Sequence, residues 1–219
     1  MRDCPPAGSG RAGLAAAGRL SRRGLLLAPL LAGPAAAMPA TGAAAAALLA
    51  LLRAGDAVAV LRHATTDRSQ ADTGDLLNRA GQRNLSEAGR AQALRLGRAV
   101  AALGIPLGEV LTSPVFRARD TAELAFGARA VIEPNLTADD YTPDAALLAR
   151  RIAWLQSRAL RPSAPGATDI LVGHIVPLGM AIGRGLAQAE YPEGAMAVFA
   201  PGGLRGILAA EALFNAAGA

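Results

Sequence analysis

The sequence predicts an α/β fold. It is a three-layer sandwich with a mostly parallel central sheet, helices on both faces and an antiparallel hairpin at the C-terminal edge. Three observations predict it. Short apolar runs of strand length alternate with longer stretches of helical period. The first runs are continuously apolar, as strands covered on both faces are. The last two stand either side of Pro201-Gly202-Gly203, a composition that turns a hairpin.

The elements follow in order. "AAAALLALLRAG" (44–55) is rich in strong helix formers, with Gly55 as its stop. "AVAVL" (57–61) is the first strand, and a polar loop runs from Thr65 to about Arg83. "LSEAGRAQALRLGRAVAAL" (85–103) is a helix capped by Ser86, with Ala91, Leu94, Leu96, Val100 and Leu103 on its apolar side. "GEVLTS" (108–113) is the second strand, and 114–127 a helix with Pro114 in its first turn and Gly127 at its end. "ARAVIEP" (128–134) gives the third strand, and 142–159 a helix with Trp154 on its core face. Asp169 to Val172 form the fourth strand, and 175–187 read as helical. "GAMAVFAP" and "LRGILAAEAL" supply the terminal hairpin.

Composition narrows the function. Of 219 residues, 52% are apolar but only 3% aromatic, so the core is one of Ala, Leu and Val. All 22 basic residues are arginine. Five of them stand in residues 1–37 against a single acid, Asp3, which accounts for +4 of the net +5. The remainder is nearly neutral. With no basic block and few rings to stack on bases, it is not expected to bind nucleic acid. Cys4 is the lone cysteine, so no disulfide forms within one chain.

The stretch "SRRGLLLAPLLAGPAAAMPA" (21–40) has the layout of a secretory signal: two arginines, a short apolar run, then Ala35 and Ala37 at the spacing a signal peptidase reads. Arg22-Arg23 after a serine resembles the twin-arginine type, with Leu25 replacing the familiar aromatic. Residues 1–37 are therefore expected to be removed on export, which points to the periplasm. Residues 38–219 are expected to be one domain with no stable membrane span after cleavage. A membrane anchor and a cytoplasmic extension are the alternatives.

Ligands of such sheets bind beyond the carboxyl ends of the strands. That rule selects His63 after the first strand, Ser113 to Arg117 after the second, and His174 after the fourth. The chain has two histidines, and both stand at such ends. Two histidines with Arg62 and Arg117 suit a phosphoryl group. Arginine binds phosphate oxygens in pairs and keeps its charge. A neutral imidazole can attack phosphorus, and a second can donate to an equatorial oxygen. The guanidinium groups disfavour protonation of His63. No third ligand stands at a spacing that would make a zinc site, so neither metal nor other cofactor is expected.

These residues resemble the histidine phosphatase superfamily, the phosphoglycerate-mutase-like or Arg-His-Gly group, and in particular a small exported branch-1 member. Arg62-His63-Ala64 resembles its signature, and Thr66 follows at the matching position. "LSEAGRAQA" (85–93), "SPVFRARDTAELAFG" (113–127) and "LVGH" (171–174) are similar to three further motifs in the family's order. The resemblance implies that His63 is the phosphorylated nucleophile and that Arg62, Arg117 and His174 complete the pocket. Counting from Ser113-Pro114 gives the family position to Arg117 and leaves Arg119 to solvent. Two departures stand out. Ala64 replaces glycine, which would be unfavourable if the backbone there needed a positive φ. The usual carboxylate proton donor has no direct match; Asp139 and Asp140 are the candidates. The polar segment 67–84 borders the pocket or is a surface loop.

The expected activity is that of a metal-independent phosphomonoesterase working through a phosphohistidine intermediate. Its substrate would be a phosphorylated small molecule or a phosphorylated envelope component. A non-catalytic module that binds phosphate ligands or envelope partners is the alternative from another class. A phosphohistidine-protein phosphatase is the alternative if the chain is not exported.

Overall fold

Six strands build the central sheet: β1 (Ala57–Arg62), β2 (Leu107–Thr112), β3 (Ala130–Ile132), β4 (Thr168–Gly173), β5 (Met196–Ala200) and β6 (Gly203–Leu208). Their order is β3-β2-β4-β1-β5-β6. The first four are parallel, while β5 pairs antiparallel to both β1 and β6. Helices α1 (Gly42–Ala54), α2 (Glu87–Ala102), α3 (Phe116–Phe126), α4 (Ala145–Ala159), α5 (Ile175–Ala181) and α6 (Ala210–Ala217) flank it. The computed structural model describes residues 38–162 and 164–218. They all fall in the unit Pro34–Ala219. The expected export signal, residues 1–37, lies outside the described residues. No helix among the described residues is long and apolar enough to cross a membrane.

The strand period of two splits the core into two layers. Ala57, Ala59 and Leu61 of β1 join Ile170 and Val172 of β4 under α1, α2, α3 and α6. Val58, Val60 and Leu171 face the opposite side, with Leu155 of α4, Leu178 of α5 and Tyr191. Every residue of β1 and β4 is buried, as their continuous apolar runs required. The three-layer α/β architecture and its antiparallel edge are thus as the sequence predicts.

Several elements differ in detail. The buried face of α2 is Gly89, Ala93, Leu96, Ala99 and Val100, while Ala91 and Leu94 are exposed. Leu96 and Val100 are buried as expected, with Leu103 packed beside them, and at the start of α2 Gly89 faces the loop after β1. Helix α3 begins at Phe116, with Pro114 in the turn before it. Helix α5 ends at Ala181, far short of residue 187, and Gly183 turns there with a φ of +75°. The stretch 204–213 is not one strand: β6 ends at Leu208 and α6 follows. Leu213 and Phe214 then dock into the first core layer, and that burial outweighs strand continuation.

The start of α2 holds the loop after β1 in place. Ser86 caps α2 by accepting from Gly89 N at 3.0 Å, and its own N–H donates to Thr65 O at 3.1 Å. Gln92, one turn on, accepts from Thr65 N at 2.9 Å and donates to Glu193 O at 3.2 Å. Gly89 lets the chain come this near: a Cβ there would lie 1.8 Å from Thr65 O. Gly89→Ala must therefore move the backbone that follows His63. It should cost about 1–3 kcal/mol of stability, read as a lower midpoint in urea unfolding. Arg98→Ala, on the exposed face of α2, should change stability by no more than about 0.5 kcal/mol.

Candidate active site

The site lies where β1, β2 and β4 end together. Arg62 is the Cα partner of Gly173, and Thr112 of Val172. His63 N donates to Gly173 O at 3.1 Å and Ser113 N to Val172 O at 3.0 Å, so the ladders continue one residue past the strands. This brings the imidazoles of His63 and His174 to a centroid separation of 5.5 Å, tilted by 53°. Arg62, His63, Arg117 and His174 are each at most 5% exposed. All four residues selected from the sequence therefore belong to one buried cluster. Arg119 does face outward, paired to Glu123 at 2.7 Å.

Local bonds fix both rings. His63 Nδ1 lies 2.9 Å from Ala64 O. A carbonyl only accepts, so a neutral His63 carries its proton on Nδ1 and a lone pair on Nε2. Ala64 N donates to Thr121 Oγ1 at 2.9 Å, and Thr121 donates to Arg117 O at 2.7 Å. One hydroxyl thus ties the loop after His63 to α3. Ala64 needs no glycine-like backbone: Asp56 is the one non-glycine residue with positive φ among the described residues. Its methyl packs with Leu85 and Ala93. His174 Nε2 lies 2.9 Å from the buried Ser113 Oγ, which also accepts from Val115 N at 3.2 Å.

Burial and charge act together on the two imidazoles. Desolvation pushes His63 well below the ordinary histidine range, and Arg117, Arg62 and Arg83 push it further; the Ala64 carbonyl opposes them. His174 is lowered well below that range by burial, then by Arg117 and the neighbouring His63. Both rings are held neutral near pH 7.

The arginines are oriented by what surrounds them. Arg62 donates to Tyr191 O at 2.6 Å and stands 4.0 Å from Glu193. Glu193 also accepts from Thr66 Oγ1 at 2.8 Å. Arg117 Nη1 contacts both oxygens of Asp72, at 2.9 and 3.0 Å, and Nη2 lies 3.5 Å from Asp140. Asp72 Oδ1 further accepts from Arg83 N at 2.9 Å and from Tyr141 Oη at 2.5 Å. The two candidate acids after β3 are thereby separated. Asp140 meets Arg117, whereas no contact of Asp139 with the four core residues is present.

Arg83 and Asp72 carry no sequence motif. Both lie in the polar segment 67–84, whose sequence suggests only a border to the pocket. That segment is tied down throughout. Arg79 forks onto the buried Asp120 at 2.6 and 2.8 Å. Gln82, fully buried, donates to Asp75 O and accepts from Phe116 N.

Four buried side-chain nitrogens lack a hydrogen-bond partner among the described residues: Arg62 Nε, Arg83 Nε, Arg117 Nε and His174 Nδ1. All four belong to this cluster. An unpaired buried donor costs about 1–3 kcal/mol, so four in one place mark a site shaped for acceptor oxygens. Among the described residues, no group of three or more His, Cys, Asp or Glu side chains is placed to hold a metal ion.

Comparison with known proteins follows the same lines. The family model "Histidine phosphatase superfamily (branch 1)" matches residues 58–140. Over that span the chain is similar to the histidine phosphatase superfamily. The matched span contains Arg62, His63, Asp72, Arg83, Arg117 and Asp140, and His174 lies beyond it. The solved protein histidine phosphatase SixA, complexed with tungstate, superposes with a TM-score of 0.52 at 18% identity, over 72% of this chain and 99% of its own. It shares the histidine phosphatase fold. A Thermus thermophilus protein, TTHB049, gives 0.46 at 23% identity, over 70% and 99%. The mycobacterial glucosyl-3-phosphoglycerate phosphatase Rv2419c gives 0.44 at 18%, over 66% and 89%. No curated protein matches the sequence.

The buried neutral histidines also set a pH dependence of stability. Their folded pKa values lie below the unfolded value of about 6.5, so the unfolded chain binds more protons between the two. Stability is therefore full above about pH 6.5 and is lost as pH falls below it. Chemical denaturation at pH 7.5 and 5.5 should show lower stability at the acid pH. The difference should shrink in the His63→Gln/His174→Gln double variant.

Proposed function

We propose that this chain is a phosphomonoesterase of the histidine phosphatase type, forming a covalent phosphohistidine on His63. The observation that carries the reading is the set of four unpartnered donors beside a histidine whose free Nε2 holds a lone pair. Phosphoryl transfer asks the protein for little but position and charge, and this cluster supplies both. Arg62, Arg83 and Arg117 offer Nε–H groups to the phosphoryl oxygens. If Ser113 donates to His174 Nε2, the proton of that ring sits on Nδ1 and donates to the same group. His174 then serves without becoming cationic.

In the first step His63 Nε2 attacks phosphorus and the bond from phosphorus to the leaving oxygen breaks. Asp140 is the group we assign to protonate that oxygen. Burial raises its pKa, and Asp72 and Asp139 raise it further against the opposing Arg117. A carboxyl with a raised pKa is suited to give up a proton near neutral pH. In the second step water attacks the phosphohistidine and returns a proton to Asp140. The phosphorus–nitrogen bond breaks, releasing inorganic phosphate and neutral His63. No step draws on a metal.

The sequence layout of residues 21–40 supports export, and we propose the periplasm as the place of action. A phosphorylated small molecule or a phosphorylated envelope component is then the substrate.

The test is turnover of 4-nitrophenyl phosphate by residues 38–219 without added metal, with vanadate or tungstate as competing oxyanions. His63→Ala should lose activity by a factor on the order of 10³ or more. Equal inactivity of wild type and variant, with no oxyanion binding, would overturn the reading. Asp140→Asn should cost about 10²–10⁴ on an alkyl phosphate and far less on the nitrophenyl ester, whose leaving group departs without a proton. Equal losses on both esters would remove Asp140 from the donor role.

A further inference from the structure

The charge on the two sides of the phosphoryl pocket is unequal. On the Arg62 side one guanidinium faces Glu193, which Arg68 also approaches at 3.4 Å. On the Arg117 side two carboxylates, Asp72 and Asp140, share one guanidinium. Asp139 adds a third negative charge that acts on Asp140, and Arg117 is the cation acting there. Tyr141 is neutral, because burial and its bond to Asp72 raise its pKa far above the ordinary phenol value. Arg83 gives Asp72 its backbone N–H, while its charge bears on His63, His174 and Arg62.

The Asp140 side chain is 44% exposed, against 16% for Asp72 and 4% for Arg117. Asp140 is thus where this side meets solvent. Arg117 itself is buried, and its Nε has no partner. Its outer nitrogens hold the carboxylates while Nε is left for a ligand.

We infer that the pocket selects phosphate esters whose leaving group carries a positive charge, a protonated amine above all, and disfavours those with a second anionic group. The inference rests on the phosphatase reading and deepens it. A phosphate dianion satisfies the inner donors whatever its substituent. A carboxylate or second phosphate next to it meets Asp140 and Asp139, which repel it. An ammonium in the same place meets them as partners, and with a nitrophenyl leaving group, which needs no proton, Asp140 serves as a carboxylate and not as the acid. Charges a few ångströms apart at a partly solvated rim change binding by roughly tenfold per unit charge, and salt weakens the effect.

Three nitrophenyl phosphates test this: one with a trimethylammonium group on the ring, one with a carboxylate, one with neither. Their good leaving group keeps Asp140→Asn measurable. The ratio of kcat/KM between the cationic and anionic esters should exceed roughly ten in the wild type. It should fall several-fold in Asp140→Asn and again in 1 M salt. Ring electronics are the same for both enzymes and cancel in the comparison. Asp139→Asn should lower the ratio in the same direction. A ratio near one, or a ratio that Asp140→Asn leaves unchanged while all three esters are turned over, overturns this inference alone. Failure to turn over any ester or to bind vanadate overturns the phosphatase reading and this inference with it.

Discussion

Parallel pairing of β1 with β4 sets Arg62 opposite Gly173, and most of the site follows from that register. The residue after each strand is a histidine, so adjacency of the strands becomes adjacency of the rings. A slip of one residue would turn Arg62 toward the other core layer and part the histidines. The register is held from both faces, because every side chain of β1 and β4 is buried. Moving either strand would expose a whole apolar set. The same packing that makes the core makes the distance between the catalytic candidates, and it keeps water away from them. That exclusion in turn holds both imidazoles neutral.

How much is legible in the sequence follows from where the information lies. Continuous apolar runs mark β1 and β4, and the hairpin turn marks β5 and β6. His63 and His174 are legible because strand ends are where such sheets place chemistry, and Arg117 because its neighbours follow a familiar spacing. The inner face of α2 departs from expectation for a physical reason. Leucine is a better sign of burial than alanine only when there is room for it, and α2 lies too close to Thr65 for large residues at that level. Gly89 takes the inside there, with Leu96 and Val100 buried further along, and Leu94 is left in water at 43% exposure. The end of α5 and the start of α6 are blurred because alanine-rich sequence carries little contrast between faces.

Asp72 and Arg83 lie beyond sequence reasoning because nothing local distinguishes them. They stand in an irregular segment among other polar residues, and their roles come from contacts far along the chain. Asp72 meets Arg117, 45 positions away, and Tyr141, 69 away. One carboxylate oxygen gathers a guanidinium, a phenol and the backbone of a second arginine. The segment is ordered by such long-range polar bonds rather than by periodicity, and these leave no pattern to read. Ala64 is the opposite case. Its departure from glycine looks unfavourable in sequence and costs nothing in the structure, because its backbone is ordinary and its methyl fills a small apolar space.

The four unpartnered nitrogens have one more consequence. In the proposed reaction they face oxygens on phosphorus and take no account of what else the phosphorus carries. Inorganic phosphate, the last species to leave, offers them the same acceptors as the ester that entered. Affinity that helps to capture substrate therefore also delays departure of product. If the proposed reaction holds, such an enzyme is held back by its own success: as phosphate accumulates, a growing share of the molecules is occupied, and the surroundings' phosphate level sets the pace of turnover.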